Sequence, residues 1–357
     1  MSATLTLKIL AGVILSLIWP GLVSPSWANP TVLNFISDIK GDVRLKRSEW
    51  NDYQKANFGD LLNPSDQLEL SAGASATVMC DNSKVWVVPA GKVSLVSDGC
   101  GSRQRIERRP NSRRRPSRDS NKIIPYIISP RNTALLTNRP ILRWNPVPGA
   151  TRYTVLVQDA GLTLDWKKET SNTEIDYSGP PLRPESYYLV IVETNTGKSS
   201  EEEQGADLSF TLLDAQNAES VETEVAKLKQ QKLTQEAEGL GLAYLYQYYE
   251  LKAEAIALLK GLVKNESETI AVYQLLGDLY QQVGLSQQAK RRYLQALELA
   301  KDTENLEDQA QAQVGLGQVE NNKPEAIEWL NQAQSNYKKL GDKPEVKEVQ
   351  QWIKNFQ

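Results

Sequence analysis

The sequence predicts a multidomain chain in which a small all-β domain and a β-sandwich precede an α-helical solenoid. Three observations carry that reading. Apolar residues alternate at period two between Asn34 and Gly101, and again, with denser aromatics, between Ile123 and Asp214. From residue 217 onward small and apolar residues instead recur at helical spacing inside a repeat of 34 residues. A length of 357 residues, with 24% charged and 40% apolar side chains, fits an ordinary soluble chain of two or three domains.

Residues 1–28 differ from the rest. Lys8 precedes an apolar run from Ile9 to Trp19, followed by Pro20-Gly21 and Ser26-Trp27-Ala28, with small residues at the two positions a signal peptidase reads. Cleavage after Ala28 is expected, with a retained anchor as the alternative. The run falls short of the roughly 20 residues that span a bilayer, so no transmembrane span is expected after cleavage. The expected location is the periplasm or cell envelope. Cys80 and Cys100 are the only cysteines, and an oxidising compartment would let them pair. Two thiols without any His are too few for a structural zinc site, so no metal is expected.

In residues 34–101 the expected strands are marked by Val43 and Leu45, Leu68 and Leu70, Ala74 to Cys80, Val85 and Val87, and Val93 and Leu95. Turns fall at Gly41-Asp42, Gly59-Asp60, Ala72-Gly73 and Asp81-Asn82. Cys80 shares the parity of Val78 and should point inward. The order Gly-Asp-Val, Gly-Asp-Leu-Leu, Asp66 before Leu68, an Ala-rich strand and an Asp-Asn turn resembles the β domain of FecR-type periplasmic proteins. That resemblance implies a sensing or recognition module without catalysis.

Residues 102–122 hold eight Arg, almost no apolar side chain, and Pro110 and Pro116, so a disordered linker is expected. Its basic run, above all Arg108, Arg109, Arg113, Arg114 and Arg115, is either plainly solvated or a contact for an anionic envelope surface. Nucleic acid is not expected, because aromatic side chains for base stacking are missing from the run.

In residues 123–214, Leu142 and Trp144, the Pro148-Gly149-Ala150 turn, Tyr153, Val155 and Val157, Leu164 and Trp166, Ile175 and Tyr177, Leu182, Tyr188, Val190 and Val192, and Phe210 and Leu212 mark seven short strands. Leu-x-Trp, Gly-Ala-x-x-Tyr-x-Val-x-Val and Leu-x-Pro-x-x-x-Tyr resemble a fibronectin type III domain. By that resemblance Trp144 is the inner core tryptophan and Tyr188 the corner tyrosine. The aromatics are read as core, with a sugar-stacking surface as the alternative. Glu201-Glu202-Glu203 is read as a solvated turn.

Helical order follows over 217–357. Tyr273, Leu276, Gly277 and Tyr280 share one helix face, and Ala289, Tyr293 and Ala296 share a face of the next. Thirty-four residues earlier stand Leu242, Ala243, Tyr246, Ala255, Leu259 and Leu262. A third copy keeps Leu316, Gly317, Ala326, Leu330 and Ala333, but has Glu320 where an aromatic belongs. Gly277 in a helix costs roughly 1 kcal/mol against Ala unless something must approach closely, and Ala289 is the expected neighbour. Residues 217–234 read as a leading helix, and Lys343 to Gln357 as an amphipathic cap. The spacing resembles that of tetratricopeptide repeats, so the solenoid is expected to be a tetratricopeptide array. The order of modules is similar to that of cyanobacterial envelope proteins.

Composition weighs against catalysis. Without His, neither a Ser–His nor a Cys–His nucleophile can form. Gly239-Leu240-Gly241 and Gly315-Leu316-Gly317 lack the Lys-Ser of a phosphate loop. Paired carboxylates remain open on residue types alone. The expectation is a non-enzymatic adaptor or scaffold that needs no cofactor and binds a protein or peptide. The tetratricopeptide resemblance places its groove at Tyr244, Gln247, Tyr248, Gln274, Asp278, Gln281 and Gln282, on the first helix of each repeat. Alternatively, Tyr244 and Tyr248 pack on the leading helix. A second functional reading gives recognition to the β domains, with a glycan or small molecule as ligand. Residues 214–357 carry 22 acids against 16 bases, opposite in sign to the linker.

Overall fold

The computed structural model describes residues 34–102, 123–161, 163–184, 186–203 and 208–356. The expected signal segment, and Arg108, Arg109, Arg113, Arg114 and Arg115 of the basic linker, lie outside these residues.

The first eight strands are β1 (Asn34–Lys40), β2 (Val43–Lys46), β3 (Gln54–Lys55), β4 (Leu61–Leu62), β5 (Gln67–Leu70), β6 (Ser75–Met79), β7 (Val85–Val87) and β8 (Val93–Leu95). They form two antiparallel sheets, ordered β4-β1-β6-β7 and β3-β2-β5-β8. Helix α1 (Val96–Cys100) closes the unit, and Cys80 and Cys100 are joined by a disulfide with a Cα–Cα distance of 5.1 Å.

Along β7 and β8 the sequence misleads. Val85 and Val87 are 37% and 68% exposed, and Val93 and Leu95 are exposed too, while Ser94 between them is buried. Both strands are sheet edges. Trp86 lies so close over Gly99 that no β-carbon would fit there, so the indole covers the turn carrying the disulfide.

The second β unit contains β9 (Ile127–Ser129), β10 (Thr133–Leu135), β11 (Ile141–Trp144), β12 (Tyr153–Asp159), β13 (Asp165–Thr170), β14 (Glu174–Asp176), β15 (Tyr187–Thr194) and β16 (Ser209–Leu212). Sheets β14-β11-β9 and β10-β16-β15-β12-β13 enclose Leu142, Trp144, Val155, Val157, Tyr188, Val190 and Phe210. The β10–β16 pairing is parallel. Trp144 meets Tyr153 edge-on at 5.5 Å. Tyr188 Oη accepts from the Arg183 amide at 2.7 Å and lies 3.2 Å from the Arg183 carbonyl, to which it donates. The acidic turn is not fully solvated: Glu203 binds the buried guanidinium of Arg131 at 2.9 Å.

Helices α2 (Ala215–Lys229), α3 (Gln235–Tyr248), α4 (Lys252–Lys264), α5 (Ile270–Gln282), α6 (Ser286–Asp302), α7 (Leu306–Val319), α8 (Lys323–Leu340) and α9 (Lys343–Phe356) complete the described chain. None is long and apolar enough to cross a membrane. Three antiparallel pairs, α3/α4, α5/α6 and α7/α8, follow the leading α2, and α9 caps them. The turns repeat as well as the helices. Glu250 and Gly284, 34 positions apart, both take positive φ, and the amides after them close 2.8 and 2.7 Å bonds to the carbonyls of Tyr246 and Tyr280. The close approach at Gly277 is made by Tyr293 rather than Ala289, because the phenol ring lies over the glycine. Glu320 substitutes charge for the missing aromatic by pairing with Lys290 of the preceding repeat.

The β units and the helices share their cores. The described residues belong to one compact unit. Phe35 and Met79 are buried with α3–α7, whereas Ile36, Val43 and Leu68 are buried with Leu330, Ala333, Tyr337 and Val349. Phe35 and Ile36 are neighbours in one strand, so they point to opposite faces, and the sheet of β1 is covered on both.

Candidate partner-binding face

Helices α3, α5 and α7 are the first members of their pairs, and the candidate residues lie on α3 and α5. Part of this face is already occupied. Phe35 packs 5.7 Å from the Tyr244 ring, and Tyr244 Oη donates to the Gly59 carbonyl at 3.3 Å. A β-carbon at Gly59 would lie 2.6 Å from Ala271 and 2.9 Å from Leu240. The β1–β8 unit therefore seats its Gly59 turn between α3 and α5. Tyr244, expected in the groove, is buried against the chain's own β unit and is removed from the partner-binding set.

Farther along the seam Arg47 bridges to α7. Its Nε and Nη2 donate to the two Glu307 carboxylate oxygens at 2.7 and 2.8 Å, and Nη1 donates to Asp66 at 2.6 Å. Burial works against the guanidinium charge, but Glu307 and Asp66 more than offset it and hold Arg47 protonated. Asn57 donates to Asp308 at 2.8 Å, Asn305 to the Lys55 carbonyl at 3.1 Å, and Trp50 Nε1 to Asp342 at 3.2 Å. The sandwich docks at the other ends of the same helices. Asn132 donates to the Gln282 carbonyl at 2.7 Å, and the Ala134 amide to the Glu250 carbonyl at 2.9 Å.

Between these docked units lies a polar row. Gln274 donates to Asp278 at 3.1 Å, and Tyr293 Oη lies 2.9 Å from Asp278 and 2.7 Å from Gln281. Gln281 in turn donates to Gln318 on α7 at 2.7 Å. Burial, then the Asp278 carboxylate, pushes the Tyr293 phenol well above its ordinary value, so it stays a neutral donor. Gln247 and Gln282 are half-buried beside this row, and Tyr248 meets Tyr249 edge-on at 5.2 Å. Tyr249 is packed against the cluster of Leu228, Leu242 and Leu245 that joins α2 to α3.

Gln318 and Tyr293 were not among the expected site residues. Gln318 follows Gly317 as Asp278 follows Gly277, so extending the groove position into the third repeat would have found it. The tyrosine was hidden by its place on the packing stripe. A separate amide cluster lies between α7 and α8, where Gln313 donates to Gln332 at 3.3 Å and Asn336 to Gln313 at 3.1 Å. Amide side chains offer both donors and acceptors, which suits an extended peptide backbone.

No protein-family model matches this chain, and no curated protein matches it. Among solved structures, BtubC (BKLC) from P. vanneervenii is similar at 15% identity over 40% of this chain and 72% of that one, with a TM-score of 0.29. A kinesin light chain-type protein of Podosopora anserina with nearly identical TPR-like repeats is similar at 20% identity over 40% of this chain and 86% of that one, also with a TM-score of 0.29. A variant of that protein gives 19% identity with the same coverage and score.

Proposed function

We propose that this protein is an exported, non-catalytic scaffold that holds a partner protein or peptide along the polar row of its helical array. Gln247, Tyr248, Gln274, Asp278, Gln281, Gln282 and Gln318 form the contact face. The observation that carries this reading is the chain of side-chain hydrogen bonds from Gln274 through Asp278, Tyr293 and Gln281 to Gln318, which links two neighbouring repeats. Side chains held in this way lose little freedom on binding, and preorganisation of that kind favours affinity.

In this reading β1–β8 is a FecR-like unit and β9–β16 a fibronectin type III-like one. The buried Trp144 and the bond between Tyr188 and Arg183 support the second assignment, since a corner tyrosine binds backbone a few residues upstream. Residues 1–28 and the Cys80–Cys100 disulfide support export to the periplasm or envelope.

The test is capture from envelope extracts with the immobilised full chain. Gln247→Ala with Tyr248→Ala loses the captured protein under this reading, while Tyr187→Ala on the sandwich surface retains it. Gln281 is unsuitable for the test because its amide also holds Tyr293 and Gln318. Loss of capture in Tyr187→Ala, with capture intact in the groove variant, would move recognition to the β units.

A further inference from the structure

Among the described residues, carboxyl groups that burial pushes up are gathered at the joints between the helices and the β units. Asp60, Asp66 and Asp342 lie on the seam with β1–β8, and Glu254, which accepts from the Leu136 amide, lies on the seam with the sandwich. At the first seam, Asp60 and Asp66 of the β unit meet Glu307 and Asp308 at the start of α7, with Arg47 among them. Three carboxylates, Glu307, Asp66 and Asp60, thus act on one guanidinium, and Asp308 acts on Asp60. Arg47 hydrogen-bonds to Glu307 and Asp66, while Asn57 joins Asp60 to Asp308, donating its backbone amide to Asp60 at 2.7 Å and its side-chain amide to Asp308 at 2.8 Å. Two carboxylates brought together in a half-buried joint repel each other strongly when both are ionised.

We propose that docking of the β1–β8 unit on the helical array takes up a proton at the Asp60–Asp308 contact, so that acidification tightens the clasp and alkaline pH loosens it. The groups facing this contact come from each element around it. Glu307 and Asp308 come from α7, Arg47 from the end of β2, and Asp66 from the turn before β5, while Glu49 and Asp342 lie beyond Glu307 toward α9. Helices α3 and α5 meet the adjacent Gly59 with Leu240, Ala271, the methyl group of Thr269 and the hydroxyl of Tyr244.

The sign follows from these neighbours. Burial first, then the Asp308 carboxylate, raises Asp60 well above the ordinary carboxylate range. The docked form therefore binds more protons than the open form between about pH 4, where a free Asp titrates, and the raised position. Across that window docking strengthens as pH falls. Below it, protonation of the carboxylates around Arg47 strips the guanidinium of its partners and the gain ends.

The experiment uses the full chain and two readouts. Thermal unfolding is followed from about pH 9 to about pH 5, for the native sequence, Asp60→Asn, Asp308→Asn, and Asp42→Asn on an exposed turn as control. Hydrogen exchange of the Asn51 amide, which donates to the Leu340 carbonyl across the seam at 2.9 Å, reports opening of that joint alone once intrinsic exchange is corrected. The native chain should gain Tm and Asn51 protection on acidification, by up to about tenfold in protection for each pK unit by which docking raises the carboxyl. Asp60→Asn or Asp308→Asn should raise Tm at the alkaline end and make both slopes shallower, the remaining slope coming from Asp66, Asp342 and Glu254, while Asp42→Asn leaves the slopes unchanged. Native slopes retained in both seam variants would overturn the proposal, as would Asn51 protection independent of pH in the native chain. Asp308→Asn keeps the test open should Asp60→Asn fail to fold.

Discussion

Gly277 and Tyr293 are a matched pair: a β-carbon at the glycine would lie 2.6 Å from Cε1 of the tyrosine ring. The same ring also meets Gly315, where a β-carbon would lie 2.5 Å away. Tyr293 is thereby held between α5 and α7, with its hydroxyl directed to Asp278 and Gln281. One side chain of the packing stripe fixes the spacing of two repeats and orders the polar row.

Gly277→Ala and Gly315→Ala should each destabilise the chain by about 1–3 kcal/mol, because the added methyl group overpacks a rigid ring. Urea denaturation measures this. Tyr293→Leu combined with Gly277→Ala should cost less than the sum of the two single changes, since the smaller side chain makes room for the methyl group. Strict additivity would mean that the ring does not set the helix approach.

Arg47→Met should be the most damaging seam substitution, at about 3–5 kcal/mol, because it leaves Glu307 and Asp66 buried without their cation. Pairing it with Glu307→Leu should recover part of the loss. The signature is a lowered denaturation midpoint with the helical circular dichroism retained before the transition.

Tyr188→Phe should cost about 0.5–1.5 kcal/mol by removing the bonds to the Arg183 backbone, with no change in the Trp144 core. The summed tryptophan emission of the folded state should stay as it is. An altered emission maximum would mean that the hydroxyl also shapes the core.

Reduction of Cys80–Cys100 should lower stability by roughly 3 kcal/mol in the chain-entropy account of loop closure. Cys80→Ala with Cys100→Ala should show the same loss and no further response to reductant. The midpoint of unfolding with and without reductant checks both.

The helical part was legible because a repeat writes the same contact several times. Tyr273, Leu276 and Tyr280 share a face by spacing alone, and the copy at Leu242 and Tyr246 repeats it. The joints were not legible. Arg47 and Glu307 are 260 positions apart, and no periodicity links a single ion pair across that distance. Tyr244 shows the consequence: its spacing put it on the first helix of its pair, but only the fold reveals Phe35 and Gly59 against it. Val85 and Val87 failed for a different reason. Alternation gives a strand's two faces but not which one is covered, and β7 is an edge.

The polar row as a binding face is the central claim, and site-directed photo-crosslinking in intact cells tests it most directly. A photoreactive residue replaces Gln247, Gln282 or, on the sandwich strand β13, Lys167. The account predicts one adduct of the same mass from both groove positions and none from Lys167, with the adduct lost when Tyr248→Ala is added to the Gln282 probe. An adduct from Lys167 alone, or groove adducts that survive Tyr248→Ala, would contradict it.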